Sequence, residues 1–255
     1  MAGHSPAANP DKSGDYMTKP IDKTAIRNAA TVIVLRDRMN DPHVLMGQRG
    51  AKAAFMPNKF VFPGGAVDAG DADIPLAEAM PAICQDRLTE DPRDDIDPRE
   101  IDTIAHALGV AAVRELWEET GLILGKPAKW ADPIPPDWTG FAATGHRPSA
   151  HALQFVFRAI TPPGRPRRFD ARFFLIDADE IASDLDDFGA ACDELSHLQW
   201  IALPKVREFD LPFITEVVLA EVGARASDPT PPKSVPFFHN GIEESLFLRL
   251  NGRAL

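Results

Sequence analysis

The chain has 255 residues, 44% of them hydrophobic and 25% charged, which suits one large folded domain or two small ones. Its formal net charge of −11 at pH 7 argues against a surface that neutralises nucleic acid or an anionic membrane, so neither partner is predicted. Cys84 and Cys192 are too far apart in the sequence to indicate a cysteine metal site or a disulfide framework, which fits a reducing compartment. Because no apolar run is long enough to span a membrane and the N-terminus has no hydrophobic signal core, we predict a cytoplasmic protein.

The N-terminal part of the chain changes character near residue 26. Residues 1–25 are polar and interrupted by proline and glycine, which predicts a mobile arm. Two short apolar runs, at 28–37 and 43–50, predict a hairpin-like pair of strands. A third run, at 59–71, contains Pro63-Gly64-Gly65, where glycine permits a close approach of the backbone. No second boundary or repeat is visible, so we assign residues 26–255 to one domain.

Residues 72–103 differ from their surroundings in composition. Aspartate and glutamate outnumber arginine between residues 86 and 102, and two prolines interrupt the same stretch. Such a composition favours a solvated segment with at most short helices. We therefore interpret residues 72–103 as an insertion, and its scarcity of large apolar residues predicts little contribution to the core.

A helix is predicted from residue 104 onward by apolar residues at helical spacing, and Gly121 is suited to end it. The last turns of this helix, VRELWEETGL (113–122), contain three closely spaced glutamates, Glu115, Glu118 and Glu119. Glutamates three and four residues apart share one helical face, where like charges destabilise an isolated helix. The residues alone leave two interpretations open, a solvated acidic face or a group of carboxylates around a cation.

The remainder of the chain alternates strand-like and helical patterns. We predict strands at 151–160, 172–178 and 197–203, a helix at 211–226, and a closing hairpin around Asn240-Gly241. This order of elements favours a mixed α/β sandwich over a doubly wound parallel sheet.

Gly65 together with the segment 114–122 resembles the Nudix box. The box consists of glycine, five residues, glutamate, seven residues, and then Arg-Glu-aliphatic-any-Glu-Glu-any-Gly-aliphatic; its second half is matched at every specified position. The first half departs from the pattern, because Asp71 stands where the family has glutamate and 42 residues rather than seven separate it from Arg114. The resemblance implies a Nudix-type α/β/α sandwich with a mixed sheet and an insertion between the box glycine and the catalytic helix.

A longer resemblance, over about residues 29–219, points to one subfamily. The segments FMPNKFVFPGGAVDAGD (55–71) and FDARFFLIDA (169–178), the interrupted box, and Glu194 six residues before Trp200 resemble the acyl-CoA diphosphatase subfamily of Nudix hydrolases. The signature of other coenzyme A pyrophosphatases is not matched, since Gly50, Ala54 and Asn58 stand where it has serine, arginine and glycine.

The resemblance implies a metal-dependent reaction. Glu115, Glu118, Glu119 and the backbone carbonyl of Gly65 would bind Mg²⁺ or Mn²⁺, and Arg114 would orient a carboxylate. The implied reaction is hydrolysis of a small nucleoside diphosphate-linked substrate, with coenzyme A or acyl-CoA cleaved at the diphosphate. The alternatives are ADP-ribose or a dinucleotide as the substrate, or a module that senses a nucleotide without cleaving it.

Several charged residues outside the box have two interpretations. Glu194 is either the general base or an extra metal ligand, or else a solvated loop residue. Arg165, Arg167 and Arg168 would contact outer phosphates of the substrate or form a charged strand edge, and Arg49 has the same ambiguity. We take Glu194 as a candidate catalytic residue and Arg49, Arg167 and Arg168 as candidate substrate-binding residues. The sequence leaves the oligomeric state open.

Overall fold

A computed structural model describes residues 25–131, 133–241, 244–250 and 253–254. The arm predicted at residues 1–25 therefore lies outside the described residues, except for Ala25. None of the helices in the described ranges is both long enough and apolar enough to cross a membrane.

The described residues form twelve strands and four α-helices. The strands are β1 (Ile26–Arg36), β2 (His43–Arg49), β3 (Phe60–Val61), β4 (Gly64–Ala66), β5 (Gly125–Pro127), β6 (His146–Pro148), β7 (Gln154–Ile160), β8 (Arg168–Asp177), β9 (Leu195–Ala202), β10 (Pro236–Asn240), β11 (Ser245–Arg249) and β12 (Arg253–Ala254). The helices are α1 (Ala82–Leu88), α2 (Pro98–Thr120), α3 (Thr139–Ala143) and α4 (Phe213–Arg225). Short 3-10 turns lie at Asp71–Asp73, Pro136–Trp138, Ala178–Glu180 and Leu203–Glu208.

A mixed sheet of ten strands occupies the centre of the fold, in the order β12-β11-β10-β7-β8-β1-β2-β3. Strand β4 pairs with the first half of β1, and β9 pairs with β2. Strands β1 and β8 are parallel, whereas β1 and β2 are antiparallel, as are β10 and β11. The two predicted hairpins are therefore confirmed.

Both faces of the central strand β1 are buried, which explains its almost continuous run of apolar residues. Val32 and Val34 belong to the core that packs beneath α2. Ile33 and Leu35 face the other way and belong to the core that packs beneath α4. The predicted mixed α/β sandwich, with a helix layer on each side of the sheet, is confirmed.

Helix α2 begins earlier than the predicted start at residue 104. Asp97 caps its first turn, because its Oδ1 accepts a hydrogen bond of 2.9 Å from the backbone N–H of Arg99, and Pro98 occupies the first helical position. At the other end Gly121 adopts a φ of 75° and donates its N–H to the carbonyl of Trp117 at 2.7 Å. The end of the helix was predicted correctly, and the Asp97-Pro98 signal for its beginning was missed.

The segment interpreted as an insertion contributes more to the core than predicted. Ile74, Met80, Cys84 and Leu88 are all buried and pack in the same apolar cluster as α2. The expectation of little core contribution is wrong, because these few apolar side chains all lie on the side that faces the domain. A short helix, α1, does form there as expected, but residues 98–103 belong to the long helix α2, which the expectation of at most short helices did not include. The boundaries of the insertion, 72–103, stay a prediction.

One residue of this segment also joins a buried group of charges on the sheet. Arg158 donates to both carboxylate oxygens of Asp170, at 2.9 and 2.8 Å. Arg172 and Arg93 approach Oδ2 of the same carboxylate to 3.1 and 3.3 Å. We call these four residues the Asp170 cluster. It ties the segment around Arg93 to strands β7 and β8.

Candidate active site

Two consecutive glycines bring strand β4 against the acidic end of α2. The N–H of Gly64 donates to Oε2 of Glu119 at 2.7 Å. At Gly65 a β-carbon would overlap the carboxylate of Glu115. On the other side of the strand, a β-carbon at Gly64 would lie 2.7 Å from the Cα of Thr31. Only glycine therefore permits both approaches.

Glu119 has the most unusual environment of the three glutamates. It is 2% exposed, and its Oε1 is buried without a hydrogen-bond partner. Burial raises the pKa of Glu119 well above its ordinary value; the charges of Glu115 and Glu194 raise it further, whereas the Gly64 N–H opposes the shift. An unpartnered carboxylate oxygen in the interior is unfavourable. A cation beside Oε1 would supply the missing partner.

The other two glutamates share one arginine. Arg114 Nη1 donates to Glu115 Oε1 at 2.8 Å and to Glu118 Oε2 at 3.1 Å. Burial raises the pKa of Glu115 to about 7, even though Arg114 acts in the opposite direction. Burial raises the pKa of Glu118 as well, and nearby Asp137 adds to that shift. The end of α2 thus concentrates more negative charge than the single arginine offsets.

The same arginine joins the two separated parts of the box. Arg114 is buried, and its Nε and Nη2 donate to the two carboxylate oxygens of Asp71, each at 3.0 Å. Its Nη2 also donates to the carbonyl of Ala66 at 2.9 Å. Asp71 is itself 2% exposed and accepts the N–H of Asp68 at 2.8 Å. The structure thus gives Asp71 the position of a bidentate partner of Arg114. We call Asp71, Arg114, Glu115, Glu118 and Glu119 the Arg114 cluster.

The donors at this position have the chemistry of a site for a hard divalent cation, which prefers carboxylate and carbonyl oxygens. Within the described ranges no three histidine, cysteine, aspartate or glutamate side chains already converge as a cation cage. Glu115 and Glu118 are instead turned toward Arg114. Glu119 Oε1 is available as it stands, and Arg114 occupies only one oxygen each of Glu115 and Glu118.

Glu194 approaches this group from a loop. Cys192 on the same loop donates its N–H to the carbonyl of Glu118 at 2.7 Å, which fastens the loop to the end of α2. Glu194 accepts a hydrogen bond of 2.9 Å from Arg49 Nη2. The charge of Glu194 raises the pKa of both Glu115 and Glu119, so Glu194 belongs to the same electrostatic environment.

Comparison with known proteins agrees with this geometry. No protein-family model matches the chain. A Caenorhabditis elegans protein that carries nudix hydrolase 7 in its name is 32% identical over 187 residues, which are 69% of this chain and 51% of that protein. The chain thus spans about half the length of this curated relative. A crystal structure of a NUDIX hydrolase from Alicyclobacillus acidocaldarius is 28% identical, with a TM-score of 0.53 over 81% of this chain and 94% of that chain. In sequence and in fold, the chain is thus similar to Nudix hydrolases.

The candidate substrate-binding arginines fall in two places. Arg49 lies beside Glu194, as described above. Arg165 and Arg167 are exposed, and Arg168 donates from Nε to the carbonyl of Thr161 at 3.0 Å. In the part of the chain that the structure describes, no hydrogen bond or ion pair joins these three arginines to the glutamates. Their contact with a substrate stays a prediction.

Sequence reasoning missed a second source of acidic residues at the candidate site. Asp137 belongs to the turn Pro136–Trp138, and Asp68 follows β4; the charges of both raise the pKa of Glu118. The turn continues into α3, where the ring of Phe141 packs edge-on against Trp117 at 5.6 Å between centroids. Neither aspartate occupies a specified position of the box pattern. The Pro-rich stretch before Asp137 indicated only a loop.

Proposed function

We propose that the chain is a divalent-metal-dependent hydrolase of nucleoside diphosphate-linked small molecules, and that coenzyme A or acyl-CoA is its substrate. The observation that carries the reaction class is the buried, unpartnered Oε1 of Glu119 beside Glu115, with both carboxylates placed against Gly64-Gly65. A fold that needed only structural stability would not gather uncompensated carboxylates in its interior. A cation binding there would compensate them.

The described residues divide between cation binding, orientation and proton transfer. Glu115, Glu118, Glu119 and the carbonyl of Gly65 would hold Mg²⁺ or Mn²⁺. When bound, such a cation offsets the negative charge of a diphosphate and lowers the pKa of a water ligand. Arg114 fixes the positions of Glu115 and Glu118 by its hydrogen bonds and is itself held by Asp71.

Glu194 is the proposed general base. It would take a proton from the attacking water as the water oxygen bonds to phosphorus and the bridging P–O bond breaks. The proton then passes from Glu194 to solvent, and the second phosphate leaves with the bridging oxygen. The loop position of Glu194, fastened to α2 through Cys192, keeps the carboxylate beside the glutamates without placing it on the helix.

Coenzyme A is favoured among the substrates by the resemblance of residues 55–71 and of the interrupted box to the acyl-CoA diphosphatase subfamily. Cleavage at its diphosphate would give adenosine 3′,5′-bisphosphate and 4′-phosphopantetheine. Arg167 and Arg168 are the proposed contacts of the 3′-phosphate, which ADP-ribose lacks. An arginine donates two parallel hydrogen bonds to a phosphate, so losing one should weaken the 3′-phosphorylated substrate selectively.

The reaction class is tested by incubating the purified chain with coenzyme A, acyl-CoA, ADP-ribose and a dinucleotide, each with Mg²⁺, with Mn²⁺ and with a chelator. We expect phosphorylated products only with a divalent cation. Glu119→Gln and Glu118→Gln should each lower kcat by about a hundredfold or more, because a neutral amide holds the cation less well. Glu216→Gln, on the exposed side of α4, is the matched control and should leave kcat unchanged. Near-native, metal-dependent turnover in a variant that carries both Glu118→Gln and Glu119→Gln would overturn the assignment. If wild type binds these nucleotides but releases no phosphorylated product, the protein is a sensor.

The substrate is tested separately with coenzyme A and dephospho-coenzyme A. We expect wild type to prefer coenzyme A, and Arg167→Ala and Arg168→Ala to reduce that preference. If wild type ignores the 3′-phosphate and prefers ADP-ribose by a wide margin, the coenzyme A proposal is wrong and the hydrolase proposal stands.

A further inference from the structure

The backbone of Arg49 is held on both sides at the end of β2. In the antiparallel pairing of β2 with β9, Arg49 lies opposite Leu195, the residue directly after Glu194. Its N–H donates to the carbonyl of Lys59 at 2.9 Å, and its carbonyl accepts the N–H of Asn58 at 3.1 Å. The guanidinium of Arg49 therefore projects from a fixed point, and its side chain is 17% exposed.

Glu194, by contrast, precedes β9 on a loop, and its side chain is 53% exposed. A half-exposed glutamate has several accessible rotamers, and fixing one of them is entropically unfavourable. The hydrogen bond from Arg49 Nη2 to Glu194 Oε1, at 2.9 Å, is the charge-assisted contact that selects one orientation. Glu194 lies close enough to Glu115 and Glu119 for its charge to raise the pKa of both.

The Arg49 guanidinium is not placed for the largest gain in stability. Its Nε is buried without a hydrogen-bond partner. An unpaired buried donor is energetically unfavourable. Arg114, by comparison, has a hydrogen-bond partner for each of its three guanidinium nitrogens. Arg49 instead directs one nitrogen at the loop carboxylate and leaves another unsatisfied.

We propose that Arg49 is a positioning residue, which acts on the reaction by holding Glu194 in line with the three glutamates rather than by binding the substrate. The inference rests on the proposed function of Glu194 as the general base. It replaces the sequence-based expectation that Arg49 contacts the substrate.

The test is a double-variant cycle measured with Mg²⁺ and the best substrate. Arg49→Met keeps most of the apolar stem of the side chain and removes the guanidinium group with its charge; we expect kcat to fall about tenfold to a hundredfold, with KM changed less than twofold. In the Glu194→Gln background the same substitution should change kcat less than threefold, because the group that it positions is already lost. Arg49→Lys should recover part of kcat. Arg36→Met is the control, since Arg36 makes a similar ion pair of 3.0 Å with Asp186 away from the glutamates.

Two kinetic results would overturn the inference. An increase of KM that persists in the Glu194→Gln background would make Arg49 a substrate-binding residue. An unchanged kcat in Arg49→Met would show that Glu194 needs no positioning.

A crystal structure of Arg49→Met gives a readout that needs no turnover, and thermal unfolding verifies that the variant is folded. We expect the Glu194 carboxylate to leave its place beside Glu115 and Glu119. If the Glu194 carboxylate stays in place in this variant, the positioning inference is wrong, whether or not wild type hydrolyses a diphosphate. If wild type hydrolyses no diphosphate, that result by itself contradicts only the proposed function.

Discussion

Two buried groups of charges in this chain have opposite composition. In the Asp170 cluster one carboxylate is surrounded by Arg93, Arg158 and Arg172. Burial alone would raise the pKa of Asp170, but the three arginines hold it below its usual value. In the Arg114 cluster one arginine is shared by several carboxylates, and burial raises the pKa of Glu115 and Glu119.

The difference separates a structural cluster from a candidate functional one. Both oxygens of Asp170 have partners within the protein. Oε1 of Glu119 has none. A buried carboxylate that is bonded to residues of the fold stabilises the contact between the segments that carry those residues. A buried carboxylate oxygen without a protein partner indicates that a bound ion or ligand supplies the partner.

The largest expected effect is on folding, because the segment between residues 75 and 100 contributes Arg93 to the Asp170 cluster and several buried side chains to the core. Deleting it and rejoining the chain with a short linker removes Arg93 from the Asp170 cluster together with buried Met80, Cys84 and Leu88. We expect the deletion variant to lack cooperative thermal unfolding. The single substitution Leu88→Ala tests the same buried contacts with a smaller change. It leaves a cavity in the core, so we expect it to lower the free energy of unfolding by about 2–5 kcal/mol. Ile83→Ala, on the same helix at 43% exposure, is the control. Cooperative unfolding of the deletion variant would show that these buried contacts are dispensable.

The next effect is on stability and concerns the Asp170 cluster alone. Asp170→Asn removes the one negative charge among the three arginines, so we expect the free energy of unfolding in urea to fall by about 3–5 kcal/mol. Asp186→Asn breaks an exposed pair with Arg36 and should lower it by no more than about 1 kcal/mol. Equal losses in the two variants would contradict the structural role given to the cluster.

A smaller effect is expected at the junction of the two box halves. Asp71→Asn weakens the bidentate pair with Arg114, which should lower the free energy of unfolding by about 1–3 kcal/mol and also lower kcat. The kinetic loss follows because Arg114 would no longer be held in place beside Glu115 and Glu118. Asp73→Asn, two residues away and exposed, should change neither quantity. Loss of stability with full turnover would separate Asp71 from the site.

The smallest effect is a pH dependence in the metal-free chain. The pKa of Glu115 is raised from 4.5 to about 7 on folding, so the folded state binds this proton more tightly than the unfolded state. The associated stability is complete below about pH 4.5 and is lost as the pH rises through about 7. Asp170 has the opposite sign, because its lowered pKa gives stability that is lost when the pH falls below its usual range. Urea unfolding near pH 5 and near pH 8 with a chelator should show the loss.

Two additions sharpen the pH measurement. Mg²⁺ should reduce the difference between the two pH values, because a bound cation favours the ionised carboxylate. Glu115→Gln should reduce it in the metal-free chain. A difference that is the same in Glu115→Gln and in wild type would assign the effect to other groups.

The features that could be predicted from the sequence are those whose residues lie close together in the chain. The three glutamates and Gly121 lie within two turns of one helix, so helical periodicity was enough to place them together. The fold class followed from the order of strands and helices. By contrast, Arg49 and Glu194 are 145 residues apart and meet only because β2 pairs with β9, which no local pattern encodes. The buried side chains of the insertion were missed because an acidic average composition conceals four well-placed apolar residues.

The pair formed by Arg114 and Asp71 also bears on how the chain folds. The two residues are 43 positions apart. In an uninterrupted box only seven residues would separate them. Closing the longer loop costs only about 1.5 kcal/mol more in chain entropy, since that cost grows with the logarithm of loop length. Helix α2 can form early from local contacts, but its arginine meets Asp71 only after the intervening segment has found its place. Assembly of the site should therefore be among the later steps of folding, detectable as protection of the Asp68–Asp71 amides that appears after that of α2.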